Sequence, residues 1–389
     1  MQSLPPNELE QRLRDRLAGL EIAGLRRRLL PAAGIDLSSN DYLDLAHHPL
    51  LKERMIEAVR REGCGATGSR LMRGNSNSFT TVEQRFAAFK GTDQSLYFSS
   101  GYLANLAVLT TFLEAEDLVF SDRLNHASLI DGIRLSKARC VIFPHCDIAR
   151  LRELLNEEHG KGQRFLVTES LFSMDGDEAP LIAYASLCRE TGTALIIDEA
   201  HAVGIYGATG SGLIEATGIG KDVFLSINSA GKALGVAGAF VAGRGWAIDY
   251  LMQKARSFIF STAPPPALAA AINAALTLVA TEPERRLKVL KNAALLRQII
   301  MDRRVTIPLG HSQILPLIIG DNVRVVTVAE SLRRQGFDVR AIRPPTVPNG
   351  SARLRVTVNS SLDETVLRAF ASAIEVVLNH EAQRCGLFS

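Results

Sequence analysis

Three apolar runs of the sequence lead directly into side chains that could do chemistry. Residues 194–197 precede Asp198 and His201, residues 165–167 precede the polar stretch 168–177, and residues 223–227 precede a turn that carries Lys232. In open α/β sheets, ligands bind at the carboxyl ends of the strands. If these runs are neighbouring strands, an acid, an imidazole and an amine meet at one edge of a sheet.

An aspartate at the end of a buried strand costs on the order of several kcal/mol if it has no partner. The protonated nitrogen of a pyridine ring could pair with Asp198, and the ring would then take up carbanion charge. Such a cofactor, pyridoxal 5'-phosphate, also needs a lysine for its aldehyde, and Lys232 follows 34 positions after Asp198. Hydroxyl and backbone N–H groups would hold its phosphate. Taken alone, such an aspartate is more often a helix cap or ion-pair partner, so the interpretation depends on the combination.

The elements that must position these groups follow an alternating pattern. Short apolar runs, many with β-branched residues, are separated by helical segments, which predicts a largely parallel sheet with helices on both faces. The predicted strands are residues 94–98, 118–121, 140–143, 165–168, 195–198, 223–228 and 239–241. A proline run at 264–266 precedes an alanine-rich helix, and strands at 313–319 and 351–358 suggest a second, smaller domain.

The predicted organisation has three parts. Leucines at positions 9, 13, 17 and 20 have helical spacing and predict an amphipathic helix over residues 8–30. We expect an N-terminal extension over residues 1–39, a large cofactor-binding α/β domain over 40–280, and a small α+β domain over 281–389.

Composition excludes several classes of function. The formal net charge of only +3 gives no extended field for nucleic acid. The five cysteines contain no CxxC pair, which argues against a disulfide framework or a structural zinc site. Residues 1–20 have no apolar export segment, and no apolar run approaches the roughly 18 residues of a membrane span. A cytoplasmic protein is therefore expected.

The sequence resembles the α-oxoamine synthases, a branch of the fold-type I pyridoxal-phosphate enzymes, over nearly its whole length. The resemblance is carried by residues 39–43 (SNDYL), 100–102 (SGY), 122–128 (DRLNHAS), 168–177 (TESLFSMDGD), 198–201 (DEAH) and 231–232 (GK). It implies a large, mostly parallel seven-stranded sheet domain with helices on both faces and a smaller C-terminal α+β domain. It also implies a decarboxylative condensation of an amino acid with an acyl thioester, in a homodimer with shared active sites.

The resemblance assigns roles to the residues around the cofactor. Lys232 binds the aldehyde and later moves protons at Cα, Asp198 pairs with the pyridinium nitrogen, and His201 hydrogen-bonds the ring 3-oxygen. His126 stacks on the ring near the reacting carbonyl. The remaining predicted cofactor contacts are Ser173, Ser229, the backbone N–H groups of Gly101 and Tyr102, and, toward the neighbouring subunit's phosphate, Ser261 and Thr262.

The substrate residues are predicted in two groups. Arg353 and Arg355 lie two apart, so on a strand both face one side, and either could clamp the amino-acid carboxylate in bidentate fashion. We prefer Arg355. The resemblance places Arg26 and Thr346 at the acyl substrate or product, together with Arg343 in residues 341–348 (AIRPPTVP). This stretch points to the family member that takes L-alanine and a pimeloyl thioester, carried on coenzyme A or acyl carrier protein, in biotin biosynthesis.

Some positions have more than one interpretation. Asn40 could contact substrate or cap a turn, and Glu169 could orient the site or simply be buried. Phe79 stands where the family commonly has histidine. Phenylalanine cannot titrate, so altered packing or a changed acyl site is expected there. His145 has no partner in the sequence and is predicted to be structural.

Two alternatives compete with this function. Sister enzymes, such as 2-amino-3-ketobutyrate ligase, 5-aminolevulinate synthase or a condensing enzyme for longer acyl chains, differ in amino acid and acyl length. Residues 343–345 argue against them. A non-catalytic protein of the same fold would need a DNA-binding segment or would lack the lysine, and neither description fits this sequence.

Overall fold

The seven apolar runs of the central region form one sheet. The computed structural model describes residues 7–384. Its strands are β1 (Ile35–Asp36), β2 (Gln94–Phe98), β3 (Leu118–Asp122), β4 (Arg139–Phe143), β5 (Arg164–Glu169), β6 (Ala194–Asp198), β7 (Val223–Ser229), β8 (Ala239–Gly243), β9 (Ile314–Gly320), β10 (Phe337–Asp338), β11 (Arg340–Ile342) and β12 (Ala352–Thr357).

Helices alternate with the strands through most of the described residues. They are α1 (Glu8–Ile22), α2 (Pro49–Glu62), α3 (Asn77–Lys90), α4 (Gly101–Phe112), α5 (Ala127–Ser136), α6 (Ile148–Glu157), α7 (Leu181–Thr191), α8 (Leu213–Thr217), α9 (Gly245–Lys254), α10 (Arg256–Ile259), α11 (Pro266–Thr281), α12 (Pro283–Asp302), α13 (Asn322–Arg334) and α14 (Glu364–Arg384).

The large sheet has the strand order β2-β8-β7-β6-β5-β3-β4. Strand β8 is antiparallel to both of its neighbours, and the other pairs are parallel. Successive side chains of a strand point to opposite faces, so the central strands contribute apolar side chains to the core on both faces of the sheet. On β6, Leu195 and Ile197 join one apolar cluster and Ile196 joins another. The predicted α/β fold is confirmed.

The C-terminal part of the chain has its own sheet and apolar core. Strands β11, β12 and β9 form an antiparallel sheet in that order. Its apolar cluster draws on α12, α13 and α14. The N-terminal segment also contributes, because β1 pairs with β10 and Leu37 is buried in this cluster. The domain limits at 39/40 and 280/281 stay predictions.

The N-terminal helix is shorter than predicted. Helix α1 ends at Ile22, so the prediction of helix through residue 30 was wrong. Gly24 takes a left-handed conformation, with φ of +64°, which ends a helix readily because glycine has no Cβ. A Cβ on Gly24 would also lie 2.8 Å from Cγ2 of Val323. The close approach to α13 therefore redirects the chain.

Two further predictions concern membranes and cysteines. None of the described helices is both long and apolar enough to cross a membrane. The four described cysteines, Cys64, Cys140, Cys146 and Cys188, are free thiols, and Cys385 lies outside the described residues.

Candidate active site

Strands β5, β6 and β7 bring the predicted acid, imidazole and amine to one sheet edge. Glu169 at the end of β5 is in register with Asp198 at the end of β6, and Asp198 is in register with Ile227 on β7. The turn after β7 places Lys232 beside the residues that follow the carboxyl end of β6. Its Nζ lies 2.9 Å from Nε2 of His201. The lysine and the imidazole, 31 positions apart, are thus direct neighbours.

Asp198 is buried, and no cation of residues 7–384 is hydrogen-bonded to it. It is 6% exposed, and its carboxylate accepts hydrogen bonds from Nδ2 of Asn105 at 2.7 Å and from the backbone N–H of Ala200 at 2.8 Å. Both donors are neutral, so they hold the carboxylate in place without cancelling its charge. A protonated ring nitrogen would supply the missing positive charge. The site therefore fits the pyridine ring of pyridoxal phosphate.

Burial adjusts the ionisation of the two groups nearest Asp198. It lowers the pKa of Lys232 to about 8, although the charges of Asp198 and Glu169 oppose the shift. It raises the pKa of Glu169 to about 8, and the charge of Asp198 acts in the same direction. Oε1 of Glu169 is buried and has no partner within the described residues. Lys232 is therefore an amine that can lose its proton near neutral pH.

A hydrogen-bonded network extends from Lys232 to a predicted substrate residue. Nδ1 of His201 lies 2.7 Å from the hydroxyl of Tyr42. That hydroxyl lies 3.2 Å from Nη2 of Arg355 and 3.0 Å from Oδ1 of Asn40. Arg355 also donates to Oδ1 of Asn40 at 3.0 Å. We call these five residues (Lys232, His201, Tyr42, Arg355 and Asn40) the Lys232 network.

The two neighbouring arginines of β12 have different partners. Arg353 forms an ion pair with Asp175 at 2.5 Å, and its guanidinium is otherwise bonded to the carbonyls of Ser351 and Met174. Arg355 has no carboxylate partner within the described residues and donates to the carbonyl of Ser173 as well as to the network. Arg355 is thus the arginine with an unneutralised charge beside Lys232, which supports the predicted preference.

His126 caps the N-terminus of helix α5 and has a defined proton position. Its Nδ1 accepts a hydrogen bond from the backbone N–H of Ser128 at 3.2 Å and lies 2.7 Å from the Ser128 hydroxyl. Burial lowers the pKa of His126 below its usual value. A neutral ring whose Nδ1 accepts must carry its hydrogen on Nε2. The ring of Tyr102 meets it edge-on, with centroids 6.4 Å apart.

The other predicted cofactor contacts lie at strand and helix ends. Gly101 is the first residue of α4, where free backbone N–H groups suit a phosphate. A Cβ on Gly101 would meet only Ala239, at 4.0 Å, so packing alone does not demand glycine there. Ser173 follows β5, and Ser229 ends β7 with its hydroxyl accepting from the N–H of Gly231.

Ser261 and Thr262 were predicted to contact the phosphate of a neighbouring subunit. They lie between α10 and α11, with Ser261 half-buried and Thr262 exposed. No hydrogen bond recorded for residues 7–384 joins either one to the Lys232 network. Their predicted contact with a neighbouring subunit stays a prediction.

Arg26, Arg343 and Thr346 form a second group of predicted substrate residues. Arg343 donates to the carbonyls of Gly24 and Arg26, and the backbone N–H of Thr346 donates to the carbonyl of Arg343. Arg26 pairs with Glu21 at 3.4 Å. Arg26 and Arg343 line a cavity of about 730 Å³ between the N-terminal segment and α13. Within the described residues no hydrogen bond joins this group to the Lys232 network, and its role stays a prediction.

Two residues of the site, Tyr42 and Asn105, were not among the predicted site residues. Tyr42 was noted only as part of the SNDYL motif, and its contact with His201 spans 159 positions. Asn105 lies within α4 and reaches Asp198 across 93 positions. Polar residues inside a helix carry no pattern that predicts such a partner.

Phe79 and His145 have partners that are distant in sequence. Phe79 is fully buried, stacks on Tyr97 with centroids 5.9 Å apart, and lies 4.5 Å below the guanidinium of Arg70. His145 lies between Oδ1 of Asp122 at 2.9 Å and Oδ2 of Asp177 at 2.6 Å. Phe79 is therefore part of the core, and His145 links the loops that follow β3 and β5.

The chain has clear relatives among known proteins. Residues 32–374 match the family described as aminotransferase class I and II. A Geobacter sulfurreducens protein described as 8-amino-7-oxononanoate synthase is 43% identical over 340 residues, 87% of each chain. One of the same description from Anaeromyxobacter sp. strain K is 42% identical over 376 residues, 93% of this chain and 94% of that protein.

Solved structures share the fold. The 8-amino-7-oxononanoate synthase of Francisella tularensis superposes with a TM-score of 0.77 at 28% identity, covering 90% of this chain and 98% of that one. A serine palmitoyltransferase of Sphingomonas wittichii reaches a TM-score of 0.90 at 24% identity and covers all of both chains. The second likeness concerns the fold alone.

Proposed function

The chain belongs to the aminotransferase class I and II family, and we propose that it makes 8-amino-7-oxononanoate with pyridoxal phosphate as cofactor. In this reaction L-alanine and a pimeloyl thioester yield 8-amino-7-oxononanoate, carbon dioxide and the free thiol of the carrier. The observation that carries the proposal is the Lys232 network, which joins an amine of lowered pKa to the unneutralised Arg355. Relatives of this description match most of the chain at 40–43% identity.

The residues that would hold the cofactor are those at the ends of β5, β6 and β7 and at the start of α4. Within residues 7–384 no cation is hydrogen-bonded to Asp198, Lys232 offers a nucleophilic amine, and the first turn of α4 offers N–H groups to the phosphate. When bound, pyridoxal phosphate takes up the electron pair that remains at Cα of the amino acid. The hydrogen bond from Asn105 would hold the Asp198 carboxylate in its orientation toward the ring nitrogen.

Arg355 would bind the carboxylate of L-alanine. Its planar guanidinium suits a bidentate contact, which fixes both the position and the orientation of a carboxylate. Asn40 and Tyr42 hold the guanidinium in place from one side, and the carbonyl of Ser173 holds Nε. The amino acid is thereby placed with its amino group toward Lys232.

Lys232 would move the proton at Cα. An amine with a pKa of about 8 is partly neutral at physiological pH, so it can accept this proton and later return it. His126 is neutral with its hydrogen on Nε2, and it would donate a hydrogen bond to the oxygen of the acyl carbonyl as negative charge develops there. Lys232 would thus transfer the proton, and His126 would stabilise the carbonyl oxygen.

The test is incubation of the purified protein and pyridoxal phosphate with pimeloyl thioesters on coenzyme A and on acyl carrier protein. We expect mass spectrometry to detect 8-amino-7-oxononanoate with L-alanine, and the relative rates to identify the carrier. Lys232→Ala should abolish product with either thioester. Product formed from glycine or serine in preference to alanine would instead identify one of the sister enzymes.

We also infer a homodimer in which the loop of Ser261 and Thr262 reaches the partner's phosphate site. The exposure of Thr262, and the lack of any hydrogen bond within the described residues between it and the Lys232 network of its own chain, support this arrangement. Co-expression of Lys232→Ala with Thr262→Ala should restore one intact site per mixed dimer, and hence activity above that of either variant alone. Activity that never exceeds the Thr262→Ala level, or a monomeric mass in solution, would contradict the inference.

A further inference from the structure

The hydroxyl of Tyr42 has a single hydrogen, and both Asn40 and His201 offer it an acceptor beside the side chains of Arg355 and Gln313. It can donate to Oδ1 of Asn40 at 3.0 Å or to Nδ1 of His201 at 2.7 Å. Nη2 of Arg355, at 3.2 Å, can only donate to it. The hydroxyl can therefore donate to either Asn40 or His201 while its oxygen accepts a hydrogen bond from Nη2 of Arg355.

His201 is a neutral ring with one partner at each nitrogen. Burial holds the pKa of His201 well below its usual value, and the charges of Lys232, Arg355 and His126 act in the same direction. Nε2 faces Nζ of Lys232, and Nδ1 faces the hydroxyl of Tyr42. A neutral imidazole has one donor and one acceptor nitrogen, so the two bonds run in the same sense along the network.

Two arrangements of hydrogens satisfy every group. When Lys232 is protonated it donates to Nε2, the Nδ1–H of His201 donates to Tyr42, and Tyr42 donates to Asn40. When Lys232 is neutral it can accept from Nε2–H, and Tyr42 then donates to Nδ1. Once Lys232 has released its proton to solvent, the change from the first arrangement to the second requires in addition that the hydroxyl turns and that the ring exchanges its hydrogen between nitrogens.

We propose that Tyr42 is the positioning residue that lets His201 change from acceptor to donor as Lys232 loses its proton. His201 then follows the protonation of the lysine without becoming charged itself. The donor arrangement is also the one in which Nε2–H can bond an oxygen of the cofactor. This inference depends on the proposed function only for the role of Lys232.

Loss of the Tyr42 hydroxyl should change the two arrangements unequally. In Tyr42→Phe the protonated-lysine arrangement would leave a buried Nδ1–H without an acceptor, whereas the neutral one would leave only a lone pair without a donor. Buried N–H groups without partners are the rarer and costlier of the two in proteins. The substitution should therefore disfavour protonated Lys232.

Other charged groups around Lys232 and Tyr42 stay in place in this variant. Asp198 and Glu169 favour protonated Lys232, whereas Arg355 disfavours it. His126 faces His201, and Tyr206 lies near Tyr42. Because none of them changes in Tyr42→Phe, a shift in the titration of Lys232 reports the hydroxyl.

The experiment measures how fast the apoenzyme captures pyridoxal phosphate, by absorbance, between pH 6 and pH 10. The rate should rise with pH and level off where Lys232 becomes neutral. We expect Tyr42→Phe to lower that pH by about half to one unit, the equivalent of roughly one hydrogen bond. The matched control is Tyr184→Phe, which removes another buried hydroxyl that makes none of the bonds of the network and should leave the pH unchanged.

The possible outcomes separate this inference from the proposed function. An unchanged levelling pH in Tyr42→Phe would overturn the role of Tyr42, and so would an upward shift, which indicates that water has entered a loosened site. Rapid capture by Lys232→Ala would instead overturn the proposed function.

A second measurement on the unaltered apoenzyme does not require the variant to fold. In ¹⁵N-histidine spectra the His201 signal, identified by its loss in His201→Asn, should stay neutral but exchange its hydrogen from Nδ1 to Nε2 as Lys232 titrates. One unchanged tautomer throughout would refute the proposal.

Discussion

Lys232 of the apoenzyme is expected to be far more reactive at neutral pH than an ordinary lysine. Burial lowers its pKa from 10.5 to about 8. At pH 7.5 an amine with a pKa of 8 is about one quarter neutral, whereas one with a pKa of 10.5 is neutral in about one molecule per thousand. Only the neutral amine attacks an aldehyde, so capture of pyridoxal phosphate should be on the order of 200-fold faster than at an ordinary lysine.

The assay is stopped-flow absorbance of the apoenzyme mixed with pyridoxal phosphate at a series of pH values. The rate should rise about tenfold per pH unit below pH 8 and level off above it. In Asp198→Asn the levelling pH should fall further, because the charge of Asp198 raises the pKa of Lys232. Lys232→Ala should capture nothing at this site.

Two results would contradict the expected titration of Lys232. If the rate continued to rise tenfold per unit through pH 8 to pH 10, the amine would titrate like an exposed lysine, and the enclosure of Lys232 would be wrong. If Asp198→Asn raised the levelling pH, its carboxylate would not be the neighbouring charge that favours protonated Lys232. Either result would remove the basis for Lys232 as the proton-transfer group.

Three other predictions follow from buried charges. Arg355→Lys should raise KM for L-alanine by about 10- to 100-fold in steady-state assays, because the bidentate contact is lost, whereas Arg353→Lys should change it much less since Arg353 already pairs with Asp175. Burial lowers the pKa of His145, but hydrogen bonds to two carboxylates outweigh it and raise that pKa to about 12, so protonated His145 stabilises the fold fully below pH 6.5 and progressively less as the pH rises toward 12. The difference in free energy of unfolding between the wild type and His145→Gln, measured with urea, should therefore narrow above pH 6.5. A difference that widens with pH would contradict this prediction. Lys90→Met should lower the free energy of unfolding by about 3–5 kcal/mol by stranding Glu199, 2.5 Å away, and a double variant with Glu199→Gln should recover much of the loss; additive losses would show that the ion pair is not the cause.

The sheet and the ends of its strands could be predicted from the amino-acid sequence alone. Short apolar runs bounded by turn-forming residues predict strands, and all seven runs predicted from residues 94 to 241 form strands of one sheet, five of them parallel to one another. Because function gathers where such strands end, Asp198, His201 and Lys232 could be identified before their distances were known. Their individual roles, including that of His201, came from the resemblance to the α-oxoamine synthases and stay predictions.

The hydrogen-bond partners of these groups depend on how distant parts of the chain pack together. Tyr42 reaches His201, Asn105 reaches Asp198, and His145 reaches Asp177 across long stretches of chain. Hydrogen bonds between distant residues depend on where whole elements pack, and no local pattern encodes that. The same reason explains the early end of α1, since Gly24 lies against α13, some 300 residues later in the chain. Local hydrophobic pattern determines which elements form, and their packing determines which polar groups meet.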